Sequence, residues 1–221
     1  NESSTGGGGG INCGGAILSI SKTEVIGNSG GGIFACCGSN LTIDRTTVSG
    51  NTSNTNIADG IYLSGSEPVN FLLLNSSIYG NGSKDISFNT VIDQTHSLTI
   101  NYSNIEDGQD SININGHTLN WGSGNIDVDP MFVDTANGNY HLLATSQLIN
   151  GGHPDSTDSD GSRADIGAYP YLNSYSGPTW YITESGNDTT ATGASDDPFR
   201  SIQSGINFSS DDDSVTVAAG Q

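Results

Sequence analysis

The chain of 221 residues is short of positive charge: five Lys and Arg stand against 24 Asp and Glu, a formal net charge of −19. A surface so poor in cations cannot neutralise phosphates, which argues against nucleic acid and anionic membrane as partners. Long apolar runs are missing as well. No stretch approaches the roughly 18 residues of a membrane-spanning helix, so no membrane insertion is expected, and no charged-then-apolar start resembles a signal peptide. Hydrophobic residues make up 33% of the chain and aromatics 7%. Such a composition leaves two classes, a disordered low-complexity chain or a Gly/Asn/Ser/Thr-rich all-β repeat. What the chain does have is glycine, 31 residues of it.

Periodicity separates the two classes, because a solenoid must place one apolar set in every coil. An L-x-I strand followed five residues later by a branched apolar residue and x-G-N occurs at Leu18-Ser19-Ile20 with Val25-Ile26-Gly27-Asn28, at Leu41-Thr42-Ile43 with Val48-Ser49-Gly50-Asn51, and at Phe71-Leu72-Leu73 with Ile78-Tyr79-Gly80-Asn81. A weaker copy runs from Leu98-Thr99-Ile100 to Ile105-Glu106-Asp107-Gly108. A second marker precedes each copy: Gly10-Ile11, Gly32-Ile33, Gly60-Ile61, Asp85-Ile86, then Ser111-Ile112. Apolar residues at i and i+2 predict strands, and Gly or Asn at the corners tolerates the positive φ of a sharp turn. No single coil buries enough to fold alone, so the coils must stack.

These G-I and V-x-G-N corners, over about residues 8–125, resemble the right-handed parallel β-helix repeats of secreted bacterial proteins in the broad pectate-lyase-like superfamily. The resemblance implies an all-β right-handed parallel β-helix, a fold that hosts lyases, hydrolases, adhesins and structural stalks alike. Residues 125–172 break the period with Asp129-Pro130-Met131-Phe132, Gly138-Asn139-Tyr140-His141-Leu142 and Asp165-Ile166-Gly167-Ala168-Tyr169, and resemble the irregular segment that closes such helices. Residues 173–178 read as a linker. Residues 179–221 resemble the amino-terminal cap of a second β-helix: a strand at Trp180, a Gly186-Asn187-Asp188 turn, a helix with Asp197 as N-cap and Phe199, Ile202 and Ile206 on one face, and a Val215-Thr216-Val217 strand. The expected organisation is therefore coils (1–124), cap (125–172), linker (173–178) and a truncated second β-helix (179–221), in a chain that is a piece of a longer protein. An apolar layer of that last part is expected to stay exposed.

β-Helix lyases combine a carboxylate-held calcium with an Arg or Lys base, and the cations here are only Lys22, Arg45, Lys84, Arg163 and Arg200. Lys22, Arg45, Asn75 and Tyr102 fall at one aligned position in successive coils. They read as a solvated exterior or as a carbohydrate-binding stripe. The acids of the coils fall mostly at turns, where Asp is favoured for local hydrogen bonds. Asp158-Ser159-Asp160-Gly161 has the D-x-D-G core of a calcium loop, with Asp155 and Asp165 close by, but Gly167 stands where an EF-hand carries Glu. The segment reads as a calcium site or as an acidic turn. Cys13, Cys36 and Cys37 lie in adjacent coils, so either a bridge from Cys13 to Cys36 or Cys37, implying an oxidising compartment, or a stack of buried thiols fits.

No catalytic constellation emerges. The expected function is a secreted or cell-surface β-helix protein that binds polysaccharide or cell-surface glycan, or serves as a stalk, without catalysis. The alternative is a polysaccharide lyase or glycoside hydrolase whose active groups lie on coils outside this sequence. Calcium is the one cofactor the residues suggest.

Overall fold

The computed structural model describes residues 9–53, 58–89 and 94–219. They form two compact units, Asn1–Val128 with Ile166–Ala168, and Asp129–Asp165 with Tyr169–Gln221. In the first unit the strands are β1 (Ile11–Gly14), β2 (Ile17–Ile26), β3 (Ile33–Cys36), β4 (Asn40–Ser49), β5 (Ile61–Ser64), β6 (Asn70–Leu74), β7 (Ser77–Tyr79), β8 (Ile86–Phe88), β9 (Ser97–Asn101), β10 (Asn104–Ile105), β11 (Ile112–Asn113) and β12 (Thr118–Trp121).

Every pairing among these strands is parallel and joins one coil to the next. One sheet runs β1-β3-β5-β8-β11. Its register places Ile11, Ile33, Ile61, Ile86 and Ile112 in one column, the residues of the second sequence marker. The other sheet stacks Leu18, Leu41, Phe71, Leu98 and Leu119, and beside them Ile20, Ile43, Leu73, Ile100 and Trp121. Val25, Val48, Ile78 and Ile105 make a further column. The fold is a parallel β-solenoid, as the repeat predicts. These columns are the core: from Ile43 through Leu73 to Ile100 each side chain is fully buried, and the Leu41, Ile61 and Ile78 columns are buried too apart from Ile11, Leu18 and Leu119 at their ends, which are partly buried. Alternation along each strand turns the intervening residues outward.

The Asn of the V-x-G-N corner has a structural duty. Asn51 Oδ1 accepts from the backbone N–H (3.0 Å) and Nδ2 (2.8 Å) of Asn28, and Asn81 Oδ1 accepts from the same two groups of Asn51 at 3.2 and 2.9 Å. Nδ2 of Asn51 also donates to Val25 O, and that of Asn81 to Val48 O. An asparagine ladder thus satisfies backbone groups that a bend removes from the sheets. The two markers are coupled, since the Gly before Ile33 and Ile61 leaves room both for the carbonyl of the next coil and for these amides: a Cβ at Gly32 would run into Gly60 O and lie 3.1 Å from Asn51 Nδ2, and at Gly60 it would run into Asp85 O and lie 3.2 Å from Asn81 Nδ2. In the fourth copy the corner Asn is replaced by Gly108 and the Gly by Asp85. Asp85 Oδ1 then accepts from Asn81 Nδ2 (3.0 Å) and ends the ladder.

The second unit has an antiparallel pair, β13 (Phe132–Asp134) and β14 (Asn139–Leu142), a parallel pair, β15 (Thr179–Ile182) and β16 (Ser214–Val217), and one helix, α1 (Ile202–Phe208). Trp180, Ile182, Ala191 and Phe199 form its core with Ala144. The helix differs from the sequence expectation. Phe199 is buried, but its N–H donates to Tyr181 O and its carbonyl accepts from Thr183 N, which holds this stretch extended beside β15. The helix therefore starts after Ser201, and Asp197 does not cap it. Ile202 and Ile206 point outward, 54% and 52% exposed, because α1 lies on the sheet through Ser204 and Gly205. A Cβ on Gly205 would come within 2.9 Å of Ile182 and Val215, so a larger face could not approach as closely. Val217 is 51% exposed as well.

Asp188 of the Gly186-Asn187-Asp188 turn anchors the helix start, accepting from the Arg200 and Ser201 N–H groups and from the Ser201 and Ser204 hydroxyls. Burial works against its charge, yet these bonds outweigh it and hold the carboxyl below the usual range.

Candidate functional site

The αL residue of the long bend inside β2 and β4 is the aligned position of the proposed stripe. Lys22, Arg45, Asn75 and Tyr102 have φ of +50°, +47°, +48° and +47°. The register of their neighbours, Ser21 with Asp44, Asp44 with Leu74, and Leu74 with Asn101, places them in one column. The column is real, and its cause is the left-handed bend. It does not make one accessible surface. Lys22 is exposed and Arg45 Nε pairs with Asp44 at 3.1 Å, but Asn75 is fully buried. Its Nδ2 donates to Asp44 Oδ1 (2.8 Å) and its carbonyl accepts from Gly167 N–H (2.9 Å). The Ile166–Ala168 segment covers it. Tyr102 lies against Gly124, whose Cβ, had it one, would meet the ring.

The residue after each αL position carries a signal that the motif reading passed over. Thr23, Thr46, Ser76 and Ser103 each donate a hydroxyl to the carbonyl two residues back, at 2.7 to 3.1 Å, closing the bend. Two of these hydroxyls also accept a backbone N–H from the preceding coil, Ser76 Oγ from Thr46 and Ser103 Oγ from Ser76. A hydroxyl at every copy of one position is visible in the sequence. Its role needs the register.

The outward face of β4, β6, β9 and β12 is the more open polar surface. Here Asn70 Nδ2 donates to Asn40 Oδ1 at 3.0 Å, Ser97 Oγ to Asn70 Oδ1 at 2.9 Å, and Asn120 Nδ2 to Thr99 Oγ1 at 3.3 Å. Leu72, 37% exposed, sits between Thr42 and Thr99 in the adjacent column. Asn40, Thr42, Asn70, Leu72, Ser97 and Thr99 line a shallow depression of about 300 Å³. Amides and hydroxyls are held across it from coil to coil, with one apolar step in the middle.

No protein-family model, curated protein or solved structure matches this chain. What it can bind is therefore argued from its own groups.

The acidic loop uses its carboxylates internally. Asp165 is buried, with Oδ1 accepting from Asn150 N–H (2.6 Å) and Oδ2 from Tyr171 N–H (2.7 Å), and Asp158 Oδ2 accepts from Asp165 N–H (2.8 Å). Asp160 accepts from the Ser162 N–H and hydroxyl and from Asn173 N–H. Its partial burial is outweighed by these bonds, which hold it below the usual range. Burial instead pushes Asp165 up to about 7, against its two hydrogen bonds. The side chain of Asp155 is exposed and lies 4.0 Å from His153 Nδ1. Among the described residues no group of three or more His, Cys, Asp and Glu is placed to hold a metal ion.

The cysteines pair differently from either sequence reading. Cys36 bonds to its neighbour Cys37, and Cys13 is free and buried. Register explains why Cys13 takes no part: it aligns with Ala35, one residue from Cys36, so the two side chains lie on opposite faces of the sheet. Cys13 Sγ instead lies 3.4 Å from the Ser39 hydroxyl.

Two buried histidines also come together without a spacing motif. The His96 and His117 rings pack against each other, tilted by 31° with centroids 4.4 Å apart, beside Phe88. Nδ1 of His96 accepts from Val69 N–H (3.1 Å), and Nδ1 of His117 from His96 N–H (3.2 Å). Burial, with the second ring adding to it, lowers the pKa of His96. Among the described residues no helix is long and apolar enough to cross a membrane.

Proposed function

We propose that this solenoid is a secreted or cell-surface β-helix module, of the pectate-lyase-like kind, that binds neutral polysaccharide along its outward sheet face without cleaving it. The observation that carries the reading is the hydrogen-bonded column Asn40, Asn70 and Ser97 beside Thr42, Leu72 and Thr99. Coils advance by about 4.8 Å. A polysaccharide laid along the solenoid axis would meet an equivalent pair of outward groups at each coil, with hydroxyls facing amides and Leu72 facing a sugar C–H surface. The excess of carboxylates disfavours polyanionic sugars. The Cys36–Cys37 bridge fits an oxidising compartment.

The test is binding of the full chain to arrayed neutral and acidic polysaccharides, alongside an Asn70→Ala/Thr99→Ala double variant, with sugar ends assayed in the same samples. Saturable binding to a neutral polysaccharide, weakened at least tenfold in the double variant and with no new sugar ends, is expected. No binding to any glycan, undiminished binding by the variant, or accumulation of unsaturated or reducing ends would each overturn the reading.

A further inference from the structure

The second unit carries a cleft of about 420 Å³, a volume typical of small-molecule sites and roomy enough for a mono- or disaccharide. One side is aromatic. Tyr175 meets Trp180 edge-on with centroids 5.2 Å apart, and Phe208 lies 5.7 Å from Trp180 and 5.3 Å from Tyr171. The polar tips of these rings are tied down inside the unit: Tyr171 Oη donates to Ala191 O (2.6 Å), Tyr175 Oη to Thr179 O (2.7 Å), and Trp180 Nε1 to Asp213 Oδ2 (2.9 Å). The ring planes are thereby set before any ligand arrives, which lowers the ordering cost of binding.

The rest of the lining is polar. Asp160 and Arg163 stand on it, the carboxylate fixed by Ser162 and Asn173, the guanidinium donating from Nε to Gly152 O at 2.5 Å. The carboxamide of Asn150 and the hydroxyls of Ser176 and Ser210 also line the cleft, and among the described residues no hydrogen bond engages them. Fixed aromatic rings in one cleft with unengaged amide and hydroxyl groups match a pyranose, whose C–H face is apolar and whose rim is hydroxyl. Arg163 and Arg200 are the only Lys or Arg side chains in this unit against many carboxylates, so an acidic sugar is disfavoured.

We propose that this cleft binds a single neutral pyranose unit, as a second carbohydrate site apart from the sheet face. The proposal extends the glycan reading but stands on different residues, so either can fail alone.

The full chain, labelled at the indole nitrogens, is titrated with methyl pyranosides and short oligomers of glucose, galactose, mannose and N-acetylglucosamine, and with galacturonate oligomers. Trp121→Phe assigns the Trp180 indole signal. A saturable Trp180 shift with at least one neutral sugar is expected. It should weaken at least tenfold in Asn150→Gly, which keeps the left-handed backbone at φ +55° while removing the carboxamide, and in Tyr175→Ala. Ser210→Ala serves in place of Tyr175→Ala should that variant lose its fold by circular dichroism. The Asn70→Ala/Thr99→Ala chain should keep the shift, even should polysaccharide binding by the sheet face prove absent. No saturable shift with any neutral sugar, unchanged affinity in Asn150→Gly, or tighter binding of galacturonate would overturn the proposal.

Discussion

Asp85→Asn tests whether the carboxyl that ends the asparagine ladder is a pH-dependent weak point of the solenoid. Asp85 is 2% exposed. Its Oδ1 accepts from Asn81, and among the described residues its Oδ2 has no hydrogen-bond partner and no cation pairs with it. Burial pushes it up to about 7 from its ordinary 3.8; the Asn81 bond opposes this, and the charges of Glu106, Asp107 and Asp127 add to it. Because the folded state holds this proton more tightly than the unfolded one, the Asp85 contribution to stability is greatest below 3.8 and falls as the pH rises to about 7. A shift of that size corresponds to about 4 kcal/mol at full ionisation. Asparagine keeps the acceptor for Asn81 and cannot ionise. Urea unfolding followed at Trp121, in a Trp180→Phe background, reads this unit from its own strand β12. At pH 4 the variant and the parent should agree to within about 1 kcal/mol, the scale of a single hydrogen bond. At pH 8 the variant should be the more stable, by roughly 3 to 4 kcal/mol. A difference that does not change with pH, or a variant weaker at pH 8, would refute the account of Asp85.

Asn51→Ala should cost about 3 to 5 kcal/mol in the same unfolding assay, since it leaves buried partners in two neighbouring coils unsatisfied, whereas exposed Asn70→Ala should cost under about 1 kcal/mol; equal losses would mean that the ladder is not what holds the corners. His96 should titrate below 6.5 by NMR, and because its folded pKa is lowered, its contribution to stability is complete above 6.5 and lost as the pH falls through the folded value. A midpoint at or above 6.5 would contradict the buried, acceptor geometry at Val69 N–H. Thiol titration of the unfolded, unreduced chain should find one reactive cysteine, Cys13, and after reduction three; three without reductant would show that Cys36 and Cys37 are not bridged.

Much of the solenoid was legible because stacking imposes its period directly on the sequence. The Ile of each second marker and the two apolar positions of each L-x-I strand had to recur, and they align in the sheets as the spacing implied. The Asn of the corner recurs for a different reason. It bonds to its own equivalents, so each copy of the motif depends on the next. The helix of the second unit was the weakest part of the reading. Apolar residues at helical spacing imply an inward-facing stripe, but close approach of the backbone to β15 and β16 selects Ser204 and Gly205 instead. Phe199 was rightly apolar and buried, yet it belongs to an extended stretch whose hydrogen bonds run to Tyr181 and Thr183.

The sequence by itself determined that the chain is an all-β repeat, where the coils bend and which residues fill their interior, because a repeating core leaves the same mark in every copy. Only the tertiary structure decided which side of a strand each remaining group faces and what it meets there. A shift of one residue separates Cys13 from Cys36, a covering segment buries Asn75 within an otherwise outward column, and residues from 150 to 210 converge on one cleft. None of these follows from spacing along the chain, since each depends on register or on contacts between segments distant in sequence.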